Sequence, residues 1–177
     1  PRPRPILLDM DEDPEEFEAE LLAADPPVQG ADAARNQALR LLASREHSRM
    51  ELERKLLARG YEAAILVGVL DALTETGLLS DERMAEAYVA GRLRKGFGPL
   101  RLRQELRERG LNDDLIGPVI DRSPSDWLEL MSRVAARKFG PGPVTDRKEL
   151  ARRARFLEYR GFPPDLVGRY LRGGPEA

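Results

Sequence analysis

The chain has 177 residues, 34% of them charged and only 6% aromatic, and it contains no cysteine. That length allows one ordinary domain or a short row of small units, and the missing thiols exclude a disulfide framework, a thiolate zinc site and a cysteine nucleophile, which fits a reducing cytosol. The net charge of −2 hides an asymmetry: two arginines against ten acids leave residues 1–33 at about −8, so residues 34–177 carry about +6.

Residues 1–33 open with Pro1-Arg2-Pro3-Arg4-Pro5 and contain few apolar side chains. Burial cannot offset the cost of ordering such a segment, so it is expected to be a disordered acidic tail. Within it, Glu15–Ala24 could form a short helix around Phe17, Leu21 and Leu22. The Pro- and Asp-rich start does not read as a signal peptide, and no apolar run approaches the roughly 18 residues of a membrane span. A cytoplasmic, membrane-free protein is expected.

From Ala34 the pattern is helical throughout, with no sustained alternation of the strand type. Leu39, Leu42 and Ala43 mark a first helix. Ser48 with Glu51 forms a capping-box signature for a second, carrying Leu52, Leu56 and Leu57 and stopping at Gly60. A third holds Ile65, Leu66, Val69, Leu70 and Leu73 and closes at Gly77. The order then recurs. Ser80 or Asp81 caps a helix with Met84, Tyr88, Val89 and Leu93. Pro99 opens one with Leu102 and Leu106, and Asn112 or Asp113 starts another with Leu115, Ile116, Val119 and Ile120. A helix over Ser125 to Phe139 follows. Asp146 begins the next, which ends at Gly161, and Pro163 or Pro164 begins the last.

Aligning the glycines gives a repeat of about 50 residues. Arg59-Gly60-Tyr61, Arg109-Gly110-Leu111 and Arg160-Gly161-Phe162 correspond. So do Leu56, Leu106 and Leu157 before each glycine, and Leu66, Ile116 and Val167 after it. The expected architecture is all-α: three tandem three-helix repeats over 34–78, 79–123 and 124–173, stacked into an elongated, curved array that offers a binding face rather than a deep pocket.

Chemistry of the catalytic kind finds no support. His47 stands alone in a polar run and reads as a surface turn residue, and one histidine cannot seed a metal site. No phosphate-loop motif is present, and Gly96-Phe97-Gly98 follows no strand. Glu105 and Glu108 among arginines read as ion-paired. No catalytic residue, metal or cofactor is therefore assigned.

The basic residues are the stronger signal, and 25 of the 29 are arginine. Arginine grips carboxylate and phosphate through two donors and stacks on rings. One cluster, Arg92, Arg94, Lys95, Arg101, Arg103, Arg107 and Arg109, flanks the helix-breaking corner Gly96-Phe97-Gly98-Pro99. Phe97 there could stack on a base or plug the corner. The second cluster is Arg133, Arg137 and Lys138, followed by Arg147, Lys148, Arg152, Arg153 and Arg155. The last three cannot share one helical face.

Several of these motifs together resemble the RecX family, bacterial regulators of the RecA recombinase. The resemblance rests on Leu78-Leu79-Ser80-Asp81-Glu82-Arg83-Met84-Ala85-Glu86-Ala87-Tyr88-Val89, on Arg94-Lys95-Gly96-Phe97-Gly98-Pro99, on Arg103-Gln104-Glu105-Leu106 and on Arg109-Gly110-Leu111. The run Ala38-Leu39-Arg40-Leu41-Leu42-Ala43 with Arg45-Glu46-His47-Ser48 looks like the family's first unit. Met84 stands where an aromatic is expected, and Arg153 stands where Leu52 and Leu102 stand in the other repeats. The resemblance implies three three-helix repeats and a non-enzymatic protein. It implies binding in the helical groove of the RecA–DNA filament, inhibition of ATP hydrolysis and strand exchange, and filament disassembly, with weak affinity for single- and double-stranded DNA.

The residues expected to meet the filament or DNA are Arg92, Arg94, Lys95, Phe97, Arg101, Arg103, Arg107, Arg133, Arg137, Lys138, Arg152, Arg153 and Arg155. No dimer seam is evident, so a monomer is expected. The rival reading is a direct DNA-binding helical module that competes for the strand. Independently of which reading holds, the acidic tail is expected to compete with DNA for the basic face and so tune binding.

Overall fold

A computed structural model describes residues 30–123, 126–140, 142 and 146–173. The acidic segment 1–29, with the short helix expected over Glu15–Ala24, lies outside the described residues. Among the described residues the secondary structure is entirely helical: α1 (Ala31–Ser44), α2 (Arg49–Ala58), α3 (Ala63–Glu75), α4 (Asp81–Arg94), α5 (Pro99–Glu108), α6 (Asp113–Asp121), α7 (Trp127–Phe139), α8 (Arg147–Tyr159) and α9 (Pro164–Gly173). None of these helices is long and apolar enough to cross a membrane. The described residues divide into two compact units, the first ending at Ser80 and the second beginning at Asp81.

The helix ends follow the local chemistry. In α2 the Ser48 hydroxyl accepts from the Glu51 amide at 3.1 Å, and the Glu51 carboxylate accepts from the Ser48 amide at 3.2 Å, a complete capping box. The Asn112 side chain caps α6 by accepting from Leu115, and Asp146 caps α8 by accepting from Glu149. Asp126 caps α7, so that helix starts two residues after the expected Ser125. Gly60, Gly110 and Gly161 have φ of +92°, +84° and +89°. Each lets the next amide turn back to a carbonyl five residues earlier: Tyr61 to Leu56, Leu111 to Leu106 and Phe162 to Leu157. The repeat read from the sequence is this stop signal used three times.

In the first unit, Leu41, Leu52, Leu56, Leu66, Leu70 and Leu73 are fully buried between α1, α2 and α3. The α1 helix begins at Ala31, ahead of the expected Ala34, so residues 31–33 are its first turn rather than part of the tail. The expectation for His47 is overturned. It is fully buried, with its Nδ1 3.0 Å from the Arg45 carbonyl. The short α1–α2 connection turns inward, and the buried Ser48 and Glu51 beside it carry the cap. A polar run of sequence concealed a buried turn.

The second unit holds the other two repeats. Met84, Leu102, Leu106 and Ile116 centre one core, and Met131, Leu157 and Phe162 centre the other. Met84, at the position where the resemblance leads one to expect an aromatic, is 2% exposed and packs in the core. Leu93 and Trp127 pack against both cores and join them. The seam also uses backbone. The Gly98 amide donates to the Arg160 carbonyl at 2.8 Å and the Leu100 amide to the Gly161 carbonyl at 3.0 Å. A Cβ on Gly98 would lie 2.5 Å from the Gly161 carbonyl group, so only glycine permits this approach.

Candidate partner-binding groove

The corner between α4 and α5 is built around Glu105. Arg92 grips its carboxylate through two donors, one of them at 2.7 Å, while Arg101 donates at 2.9 Å and the Tyr88 hydroxyl at 2.8 Å. Burial alone would raise the Glu105 pKa, but the hydrogen bonds from Arg92, Arg101 and Tyr88 outweigh it and hold it at about 2. Burial, and then donation to Glu105, push the Tyr88 hydroxyl up to about 12. Phe97 plugs the corner. The guanidinium groups of Arg92, Arg101 and Arg160 lie 4.0, 4.7 and 4.9 Å from its ring centroid. Arg160 also donates to the Lys95 carbonyl at 2.7 Å.

The expected contact residues therefore separate into two groups. Arg92 and Arg101 are committed to Glu105 and Phe97. Arg107 pairs with Asp113 at 2.8 Å and Arg103 with Asp121 at 3.5 Å. Arg152 pairs with Glu149 at 2.8 Å and lies over Phe139. Arg153 departs furthest from expectation. It is only 8% exposed, bonded to Glu149 and packed on Phe139. It occupies the core register that Leu52 and Leu102 fill in the other repeats, so its charge is satisfied internally. Arg155 is exposed on α8.

The remaining residues converge. An open groove of about 950 Å³ runs between the α4–α5 corner and helices α7 and α8. Arg94, Lys95, Arg133, Arg137, Lys138 and Arg160 line it, and no carboxylate does. Leu93, Phe97, Leu130, Val134 and Phe156 supply its apolar lining. Among the described residues, Arg94, Lys95, Arg137 and Lys138 are exposed and make no ion pair, while Arg133 has a long 3.8 Å contact to Glu129. Two basic segments some 40 residues apart in sequence thus form one electropositive surface. Gly96 makes the approach possible. Its φ is +76°, and a Cβ there would lie 2.6 Å from Val134 Cγ2. Sequence reasoning missed Arg160 and the apolar floor. Arg160 belongs to the repeated Arg-Gly stop signal, where its role in the fold masked its place in the groove.

The arrangement suits recognition of an extended anionic partner. Among the described residues no cluster of His, Cys, Asp or Glu could hold a metal ion.

Three family models match this chain in succession: the RecX first three-helix domain over residues 34–73, the second over 80–117 and the third over 125–171. Regulatory protein RecX of Halorhodospira halophila is 47% identical over 137 residues, covering 77% of this chain and 85% of that protein. Regulatory protein RecX of Ectopseudomonas mendocina is 45% identical over 144 residues, covering 81% and 96%. The crystal structure of RecX from Lactobacillus salivarius superposes with a TM-score of 0.69 at 20% identity, covering 80% of this chain and 94% of that one, a likeness of fold.

Proposed function

Because the chain belongs to the RecX family, we propose that it is a negative regulator of the RecA recombinase. It binds the RecA–DNA filament in its helical groove, inhibits ATP hydrolysis and strand exchange, and promotes disassembly. It acts as a cytoplasmic monomer, without a cofactor and without catalysis of its own. The observation that carries this reading is the electropositive groove of the second unit, whose Arg94, Lys95, Arg137 and Lys138 are left unpaired by the fold. A charged surface of this kind raises the encounter rate with an anionic filament, and several small repeats can build avidity from weak contacts.

The test is RecA ATPase on single-stranded DNA, titrated with this protein. The expected result is loss of rate well below one molecule per RecA monomer, the signature of capping or breakage. No loss at any ratio rejects the reading.

The absence of any carboxylate from the groove lining also favours a second reading, a DNA-binding module that competes for the strand. In that case inhibition needs enough protein to coat the DNA. Affinity for bare DNA would then fall by about 0.9 log units per log unit of salt for each phosphate contacted.

A further inference from the structure

The groove has a property that phosphate recognition leaves unused: its floor is apolar. Leu93, Leu130, Val134 and Phe156 line it between the cations. A nucleic-acid strand covers such a floor chiefly by stacking bases on exposed rings. The rings here are already occupied. Phe97 is enclosed by three guanidinium groups. Phe156 carries the Arg160 guanidinium at 5.2 Å and meets Phe139 edge-on at 5.2 Å. An aliphatic or aromatic side chain lying in the groove, by contrast, meets the half-buried Leu93, Val134 and Phe156. Carboxylates flanking it would meet Arg94, Lys95, Arg137 and Lys138, and arginine binds a carboxylate through two parallel donors.

We propose that the groove between the α4–α5 corner and helix α7 receives an acidic protein segment bearing at least one large apolar side chain. Charge complementarity and the apolar floor select this occupant together. The inference rests on the regulator reading only for the source of the segment, which is then the recombinase.

The test uses the whole chain and three fluorescent probes: a peptide alternating Glu with Leu and Phe, the same peptide with Ala at every apolar position, and a dT oligonucleotide. The apolar acidic peptide should bind about ten-fold tighter than its Ala analogue, since one buried large side chain supplies at least that factor. Val134→Lys adds a cation but removes apolar floor. It should reduce the ratio between the peptides to below about three-fold while oligonucleotide binding holds or strengthens. Trp127 fluorescence checks that the variant stays folded. Equal binding of the two peptides, or a preference that survives Val134→Lys, overturns the proposal. A second measurement locates the segment in the filament. The chain has no cysteine, so Lys138→Cys gives one attachment point for a photoactivated crosslinker in the RecA–DNA filament. Crosslinking to a RecA segment with carboxylates and an apolar residue supports the proposal, and crosslinking to DNA overturns it. The ATPase titration reads the regulator role separately: inhibition without a peptide preference rejects the acidic-segment reading alone.

Discussion

Replacing Glu105 by Gln should be among the most costly single changes in the second unit, although it removes no volume. The carboxylate is shared by Arg92, Arg101 and Tyr88, and its side chain is only 12% exposed. Its pKa falls from 4.5 to about 2 on folding. At about 1.4 kcal/mol per unit, the shift corresponds to about 3 kcal/mol. Water reaching the two partly exposed guanidinium groups trims this to about 2–3 kcal/mol. Glutamine mimics the protonated acid, and it leaves two arginines half-buried without their counter-charge. The folded pKa is depressed, so this stability is fully present above the unfolded pKa near 4.5 and is lost as pH falls through 2. The gap between wild type and Glu105→Gln should be about 2–3 kcal/mol at pH 7, about half of that at pH 3, and absent at pH 1. Urea unfolding followed by fluorescence of Trp127, the single tryptophan, reports on this unit because Trp127 packs against both of its cores. A gap below about 0.5 kcal/mol at pH 7, or one that is unchanged at pH 3, would refute the reasoning.

Three further expectations concern other parts of the chain. Gly60→Ala and Gly161→Ala impose the same left-handed strain, about 1–2 kcal/mol, but a Cβ at Gly60 meets nothing within 4 Å while one at Gly161 overlaps Arg101. Gly161→Ala should therefore cost at least about 1 kcal/mol more in urea titrations, and equal costs would deny the close seam. Arg153→Leu restores the apolar register of Leu52 and Leu102 and should leave stability unchanged or raise it by about 1 kcal/mol; a loss above about 2 kcal/mol would show that the buried charge is needed. Removing residues 1–29, which hold most of the acidic excess, should tighten binding to a dT oligonucleotide at low salt and leave it unchanged at high salt. Unchanged affinity at low salt would show that the tail's charge is not felt by DNA.

What could be read in the sequence was local. Gly60, Gly110 and Gly161 announce themselves because a left-handed stop tolerates little else. Ser48 with Glu51, Asn112 and Asp146 announce helix starts because the capping oxygen must sit within three residues of its donor. Aligning those three glycines also groups the helices into three repeats, and the family resemblance agrees with that grouping. The site was less legible, because charge in a sequence does not reveal its partner. Arg92 and Arg101 read as contact residues, but Glu105, reached from two helices, absorbs both. Arg153 carries the same formal charge as Arg155, and only the core register separates the buried one from the exposed one. His47 sat in a polar run whose backbone turns inward. The convergence of Arg94 and Lys95 with Arg137 and Lys138 depends on how the second and third repeats dock, through Gly96 and Gly98, and no spacing within either segment encodes it.

The groove as the contact surface is tested most directly by charge reversal. Glu in place of Arg94, Lys95, Arg137 and Lys138 should abolish inhibition of RecA ATPase while Trp127 fluorescence and urea stability stay at wild-type values. Glu at Arg147, Lys148, Arg169 and Arg172, exposed cations outside the groove, changes the net charge equally and should leave inhibition within about three-fold of wild type. Full inhibition by the groove variant, or equal loss in both, would contradict the account.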